Sequence, residues 1–135
     1  MEQLSILTTR RKRTSAGRLT KNSKLFKAII NAIQEKKGEN IISLDLRKIP
    51  EAVADFFIIC EAGSTTQVKA IADFIEYHTK QITTELPYRT EGQSAGQWVL
   101  VDYVNVVVHI MQPEIRKFYK LEEMWSDAEG EEHNS

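Results

Sequence analysis

The spacing of apolar residues predicts three helical segments. From Ser23 to Lys37, apolar side chains recur every three or four positions, and Gly38 follows as a stop signal. The same period continues from Gln67 to Gln81, where Val68, Ile71 and Ile75 face inward. Pro113 suits the first turn of a last short helix that runs through Ile115, Phe118 and Tyr119 and continues as helix or turn to Trp125.

Between these helices lie short apolar runs that indicate strands. Asp55 to Glu61 is nearly continuous apolar sequence and predicts a buried central strand. The two runs nearest the C-terminus are close enough to form a hairpin. The remaining predicted strands are Ile41–Leu46, a short one at Tyr88–Thr90, Trp98–Tyr103 and Val106–Met111.

The order of these elements predicts an α/β fold, a single domain with a mixed sheet of about five strands flanked by helices. Charge divides the chain further. Seven basic residues and one acidic residue fall within residues 1–24, whereas the last ten residues hold four acidic ones and no Lys or Arg. We therefore expect a basic flexible arm at residues 1–21, a folded domain at 22–127 and an acidic flexible tail at 128–135. A solvated tail and an arm that contacts RNA phosphates through Arg10, Arg11, Lys12 and Arg13 are both open for the first segment.

Composition fits one cytoplasmic domain. The chain has 135 residues, 41% of them hydrophobic, and no apolar run approaches the roughly 20 residues that a bilayer requires. Its only cysteine is Cys60, which excludes an internal disulfide. Cys60 stands inside an apolar run, so we expect a buried core residue rather than a reactive thiol.

The motifs of common enzymes are missing. Gly63-Ser64, between a strand and a helix, is similar to the turn with which nucleotidyltransferase folds present a glycine and a serine to a nucleotide phosphate. That chemistry also requires two carboxylates at i and i+2 on one strand. The first acid downstream is Asp73, inside a predicted helix, and position 75 is Ile75. We therefore expect no cofactor and no catalytic activity; nucleotide binding or transfer at Gly63-Ser64 is the weaker alternative.

The predicted hairpin has two apolar faces. Alternation places Trp98, Leu100 and Asp102 on one face, together with His109 and Met111 of the partner strand. Covering both sides of the sheet is difficult for so few elements, so this face is a candidate partner-binding surface. Two alternatives are open. The last helix packs over the face, with Phe118, Tyr119, Met124 and Trp125 as its cover, or a homodimer buries it.

Several segments, in this order and spacing, resemble the ribosomal silencing factor family, also called RsfS or Iojap-related. The resemblance spans about residues 23–127. It is carried by Ala54-Asp55-Phe56-Phe57-Ile58-Ile59, Gly63-Ser64, Val68-Lys69-Ala70-Ile71-Ala72, Glu91-Gly92, Trp98-Val99-Leu100-Val101-Asp102-Tyr103, Val107-Val108-His109, Arg116-Lys117-Phe118-Tyr119-Lys120-Leu121-Glu122 and Trp125.

The resemblance implies a mixed α/β fold similar to a nucleotidyltransferase core without its catalytic acids, and it implies a translational repressor. Family members bind the large ribosomal subunit through a ribosomal protein of the uL-fourteen family, block joining of the small subunit and repress translation; organellar relatives are linked to large-subunit assembly. It also implies a set of partner-contact residues, namely Trp98, Leu100, Asp102, Tyr103 and His109, with Glu91 and Tyr119 nearby. In the hairpin turn, Val104-Asn105 stands where many relatives have Gly-Asp.

Overall fold

Six strands form one mixed sheet in the computed structural model, which describes residues 23–134. The strand order is β3-β4-β5-β2-β1-β6, and every neighbouring pair is antiparallel except β2 with β5. The strands are β1 (Glu39–Asp45), β2 (Phe56–Glu61), β3 (Arg89–Glu91), β4 (Trp98–Asp102), β5 (Val106–Met111) and β6 (Glu129–Glu132). The helices are α1 (Lys24–Glu35), α2 (Thr65–Thr83), α3 (Pro113–Tyr119) and α4 (Leu121–Met124). The predicted α/β fold is confirmed, and the predicted hairpin is β4–β5.

One face of the sheet packs against α1 and α2. Helix α1 begins at its N-cap Ser23, whose side-chain oxygen accepts a hydrogen bond from the backbone N–H of Phe26. Its apolar stripe meets the sheet at Phe56, where the Phe26 and Phe56 rings lie edge to face, 5.1 Å apart. Helix α2 adds Val68, Ile71, Ala72 and Ile75 to the same core. The two longest helices of the described residues therefore both pack on this face.

The opposite face of the sheet is covered too, so the open candidate surface was wrong, and the alternative in which the last helix packs over this face is confirmed. Leu46, Ala52, Val53 and Ala54, from the connection between β1 and β2, pack over one part of it. Residues of the C-terminal segment pack over the rest, and these are Ile115, Tyr119, Leu121, Trp125 and Ala128. We call residues 113–125, which include α3 and α4, the helical cover. Few elements suffice to cover both faces of the sheet, because the apolar connection between β1 and β2 covers part of the second face.

The acidic C-terminal segment is not a tail. Glu129 to Glu132 form strand β6, which pairs antiparallel with β1, with Gly130 opposite Leu44. His133 extends the attachment, since its backbone N–H donates to the carbonyl of Ile41 and its ring contacts Phe26. The folded domain therefore continues past the predicted boundary at residue 127.

The predicted basic arm, residues 1–21, lies outside the described residues. Within residues 23–134, no helix combines the length and apolar character needed to cross a membrane.

Candidate functional site

The indole of Trp98 lies inside the protein. Its exposed fraction is 2%, and Leu100, Asp102 and His109 of the same sheet face are fully buried. Strand alternation was read correctly, because Trp98 and Leu100 share one core while Val99 and Val101 share the other. What the alternation did not reveal is that the helical cover seals this face.

A hydrogen bond to a residue of β5 fixes the orientation of the Trp98 indole. The Nε1–H of Trp98 donates to Nδ1 of His109 at 3.1 Å. Because the indole nitrogen can only donate, Nδ1 must be the unprotonated nitrogen of a neutral imidazole. Burial lowers the pKa of His109 to about 3, since a charged ring would lose its hydration there. His109 therefore acts as a structural acceptor for Trp98 rather than as a surface donor.

Aromatic side chains of the helical cover pack against Trp98 and Phe57. The ring of Tyr119 lies 5.0 Å from that of Trp98, and Trp125 packs edge to face on Phe57 at 5.9 Å. Phe118, which we grouped with the covering side chains, points the other way and is 77% exposed. Met124 is likewise 54% exposed. The cover thus has an apolar inner side and carries two large apolar side chains on its outer side.

Asp102 and Glu91 belong to the edge of the sheet beside this cluster. One carboxylate oxygen of buried Asp102 accepts the backbone N–H of Val104 at 2.8 Å, and the other lies 3.6 Å from Nε of Arg89. Arg89 also lies 3.6 Å from Glu91 on the edge strand β3. Asp102 is therefore engaged with its own turn and edge strand, whereas Glu91 is half-buried at the margin of the face.

Tyr103 lies on the other side of the sheet from Trp98. Its hydroxyl shares a buried hydrogen bond of 2.7 Å with Thr79 of α2. Burial raises the pKa of Tyr103 to about 12. Of the seven contact residues implied by the resemblance, the structure brings five to one face, Trp98, Leu100, Asp102, His109 and Tyr119. Glu91 is at its edge and Tyr103 is behind it.

Arg116, on α3 of the helical cover, makes a network of polar contacts. It was missed as a candidate site residue. Its guanidinium donates to Glu122 at 2.8 and 3.0 Å, to Glu61 at 3.1 Å and to the carbonyl of Asn40 at 2.7 Å. The side chain is only 12% exposed. It borders a cleft of about 460 Å³ that Lys117, Lys120 and Glu123 also line. The sequence offered no signal for this network, because its acidic partners are 55 and 6 residues away.

The junction at Gly63-Ser64 has the geometry of a helix start. The Ser64 hydroxyl accepts the backbone N–H of Gln67 at 3.1 Å, which is an N-cap hydrogen bond. Asp73 is on the exposed side of α2. No group of three or more His, Cys, Asp or Glu side chains suited to a metal ion occurs within residues 23–134.

Cys60 is fully buried on β2, as predicted. Burial raises the pKa of its thiol to about 12, so the group stays protonated at neutral pH. It is a core side chain.

Comparison with known proteins agrees with the fold and with the resemblance in the sequence. Residues 20–135 match the family model described as "Ribosomal silencing factor during starvation". The ribosomal silencing factor RsfS of Halalkalibacterium halodurans is 37% identical over 107 residues, which cover 79% of this chain and 90% of that protein.

Two further similarities extend the comparison. A crystal structure of a Chromobacterium violaceum protein superimposes with a TM-score of 0.71 at 35% identity, covering 76% of this chain and 83% of that one. The mouse protein named "Mitochondrial assembly of ribosomal large subunit protein 1" is 30% identical over 94 residues, which cover 67% of this chain and 41% of that protein. The chain therefore belongs to the ribosomal silencing factor family.

Proposed function

We propose that this protein represses translation in the cytoplasm by binding the large ribosomal subunit and blocking its union with the small subunit. The observation that carries this proposal is the family match over residues 20–135, which include all of the described residues. The mechanism is steric and requires no cofactor. The partner is a ribosomal protein of the uL-fourteen family, which the resemblance implies.

The contact surface we propose differs from the first expectation because of the burial of Trp98. Phe118 and Met124 project from the cover, and large exposed apolar side chains in one region mark interaction surfaces. Tyr119, next to Phe118 on α3, belongs to the same surface and also contacts Trp98. We call Phe118, Tyr119 and Met124 the docking surface. Trp98, Leu100 and His109 support it from beneath, and Glu91 lies at the edge of the same sheet face.

A sedimentation assay tests the proposal directly. Purified large subunits are incubated with the protein, small subunits are added, and sucrose gradients record both co-sedimentation and the fraction of joined ribosomes. We expect the protein to move with large subunits and to lower the joined fraction. Phe118→Ala should weaken both effects, whereas Tyr77→Ala, an exposed aromatic on α2 across the sheet, is the matched control. Joining that proceeds equally with and without bound protein would contradict the steric mechanism.

Large-subunit assembly is the second candidate function, and the similarity to the mouse mitochondrial protein favours it. The two roles predict different particles in cells that lack the protein. An assembly role predicts immature large subunits during growth, whereas a silencing role predicts complete subunits that join in excess when nutrients are scarce.

Two alternatives from the sequence have their own tests. Nucleotide binding at Gly63-Ser64 predicts saturable heat on titration with ATP and Mg²⁺, and we expect none. A homodimer that buries the hairpin face does not fit, because the helical cover occupies that face. Dimerisation through another surface is a prediction that light scattering can decide.

A further inference from the structure

The helical cover has few apolar attachments of its own. No residue of α3 is fully buried, and Leu121 is the only buried residue of α4. Ile115, Tyr119 and Trp125 are half-buried against the core. Helices this short are not stable by themselves, so contacts outside the helices must fix their position.

The joint between α3 and α4 does not supply that fixation. Lys120 is both the C-cap of α3 and the residue before α4, and it has the left-handed conformation, φ 51° and ψ 53°. A side chain other than glycine is disfavoured there. The joint therefore adds strain, and some other contact must offset it.

Arg116 makes polar contacts that connect the cover to the sheet. Through one guanidinium it joins α3 to Glu122 of α4, to Glu61 at the end of β2 and to the carbonyl of Asn40 in β1. Hydrogen bonds to carboxylates are the stronger kind, and the planar fork of arginine can serve several acceptors at once. With a side chain only 12% exposed, this network is less screened by solvent than a surface ion pair.

We infer that Arg116 is a positioning residue of the docking surface: it clamps α3 and α4 onto the sheet and so presents Phe118, Tyr119 and Met124 to the ribosomal partner in a fixed arrangement. The inference rests on the proposed function. Side chains held in place before binding lose less freedom when the partner arrives. An exposed Phe118 on a loosened cover would have the same chemistry but a higher entropic cost of binding.

The chain contains a built-in optical probe for this clamp. Its two tryptophans, Trp98 and Trp125, are both part of the core that the cover closes. Quenching of tryptophan fluorescence by acrylamide therefore reports on the cover without any ribosome. Urea unfolding followed by circular dichroism reports on the domain as a whole.

The experiment compares wild type, Arg116→Met, Arg116→Lys and a control. The control is Arg47→Met, which removes another partly buried arginine–carboxylate pair, at 2.7 Å to Asp45. The Arg47 guanidinium lies over the ring of Phe56, which belongs to the core on the α1 side of the sheet. We expect Arg116→Met to be quenched more strongly than wild type and to bind large subunits about tenfold more weakly, because ordering the docking surface then opposes binding. Arg116→Lys keeps the charge but not the fork, and should fall between the two. Arg47→Met should match wild type in quenching and binding, whatever its effect on unfolding.

Each contrary result has a distinct meaning. Unchanged quenching in Arg116→Met would overturn the clamp, since the cover would then stay closed without it. Increased quenching with wild-type affinity would overturn the positioning role. Failure of the wild-type protein to bind large subunits would instead overturn the proposed function, and the positioning role with it. If Arg116→Met does not fold, Glu122→Gln, which weakens only the connection to α4, takes its place in the same two measurements.

Discussion

The Nε1–H of Trp98 and Nδ1 of His109 meet at 3.1 Å in the closed core between β4, β5 and the helical cover. This hydrogen bond is consistent with the neutral state of His109. The indole requires an unprotonated acceptor, and the buried imidazole stays neutral because nothing there would stabilise its charge. A pair that reads in sequence as two contact residues is thus a fixed internal support.

The neutral state of His109 predicts that the protein becomes less stable in mild acid. The pKa of His109 is about 3 in the folded protein, against about 6.5 for an exposed histidine. Between these values the unfolded chain binds a proton that the folded protein does not, so stability falls as pH decreases. From pH 7 to pH 5 this one group should cost about 2 kcal/mol of the free energy of unfolding.

Urea unfolding of wild type and His109→Gln at both pH values measures this effect. The glutamine oxygen can still accept the indole N–H, while the titrating group is removed. Other ionisable groups contribute to both proteins, so the difference between the two pH slopes isolates His109. Equal slopes would show that the folded protein tolerates a protonated ring.

Replacement of Trp98 is expected to act on the fold first. Trp98→Ala should lower the free energy of unfolding by about 3–5 kcal/mol, the usual cost of removing a large buried aromatic side chain. Phe118→Ala should change stability by no more than about 0.5 kcal/mol, since its side chain is mostly exposed.

The contrast between these two variants separates support from contact. Chemical unfolding gives the stability of each, and sedimentation of the folded fraction gives its binding to large subunits. A stable Trp98→Ala protein that no longer binds would restore the indole as a direct contact residue, which would require the cover to move aside.

The elements with regular patterns were predictable from sequence, and those that depend on a neighbour were not. The sequence located α1 and β5 almost to the residue, because apolar residues recur there at the helical or strand period. Strand β6 has no such pattern, since Glu129-Gly130-Glu131-Glu132 is polar throughout. It is a strand because β1 offers an open edge, and Gly130 lies close to Ile42 and Leu44.

The candidate site shows the same limit. Strand alternation correctly placed Trp98 and Leu100 on one face, but exposure depends on residues much later in the chain. Arg116 of α3, the helix that covers that face, contacts Glu61 and Asn40, which are more than 50 positions earlier in the chain. The turn between β4 and β5 also has an unusual backbone conformation. Val104 has φ 74°, a conformation that favours glycine and is unusual for a β-branched side chain.

Tyr103 is expected to matter for stability and not for binding. Tyr103→Phe removes the hydroxyl that bonds Thr79 at 2.7 Å on the α2 side of the sheet. The loss of one buried hydrogen bond should cost about 1 kcal/mol. Binding to large subunits should equal that of wild type once both proteins are folded. Weaker binding at equal folded concentration would place Tyr103 in the contact surface after all, as the resemblance implied.

The basic arm gives a prediction about salt. If Arg10, Arg11, Lys12 and Arg13 contact rRNA phosphates, they release counterions on binding, and the affinity for large subunits must fall steeply with salt concentration. Replacing all four by glutamine should lower the slope of log affinity against log salt by about 3, since each phosphate contact contributes roughly 0.7–0.9.

A matched control variant carries glutamine in place of four exposed lysines of the folded domain, which are Lys27, Lys37, Lys48 and Lys80. Binding measured from about 50 to 200 mM salt covers the range in which such contacts are lost. A slope that changes equally in both variants would reflect net charge alone, and an unchanged slope would leave the arm as a solvated segment with no part in docking.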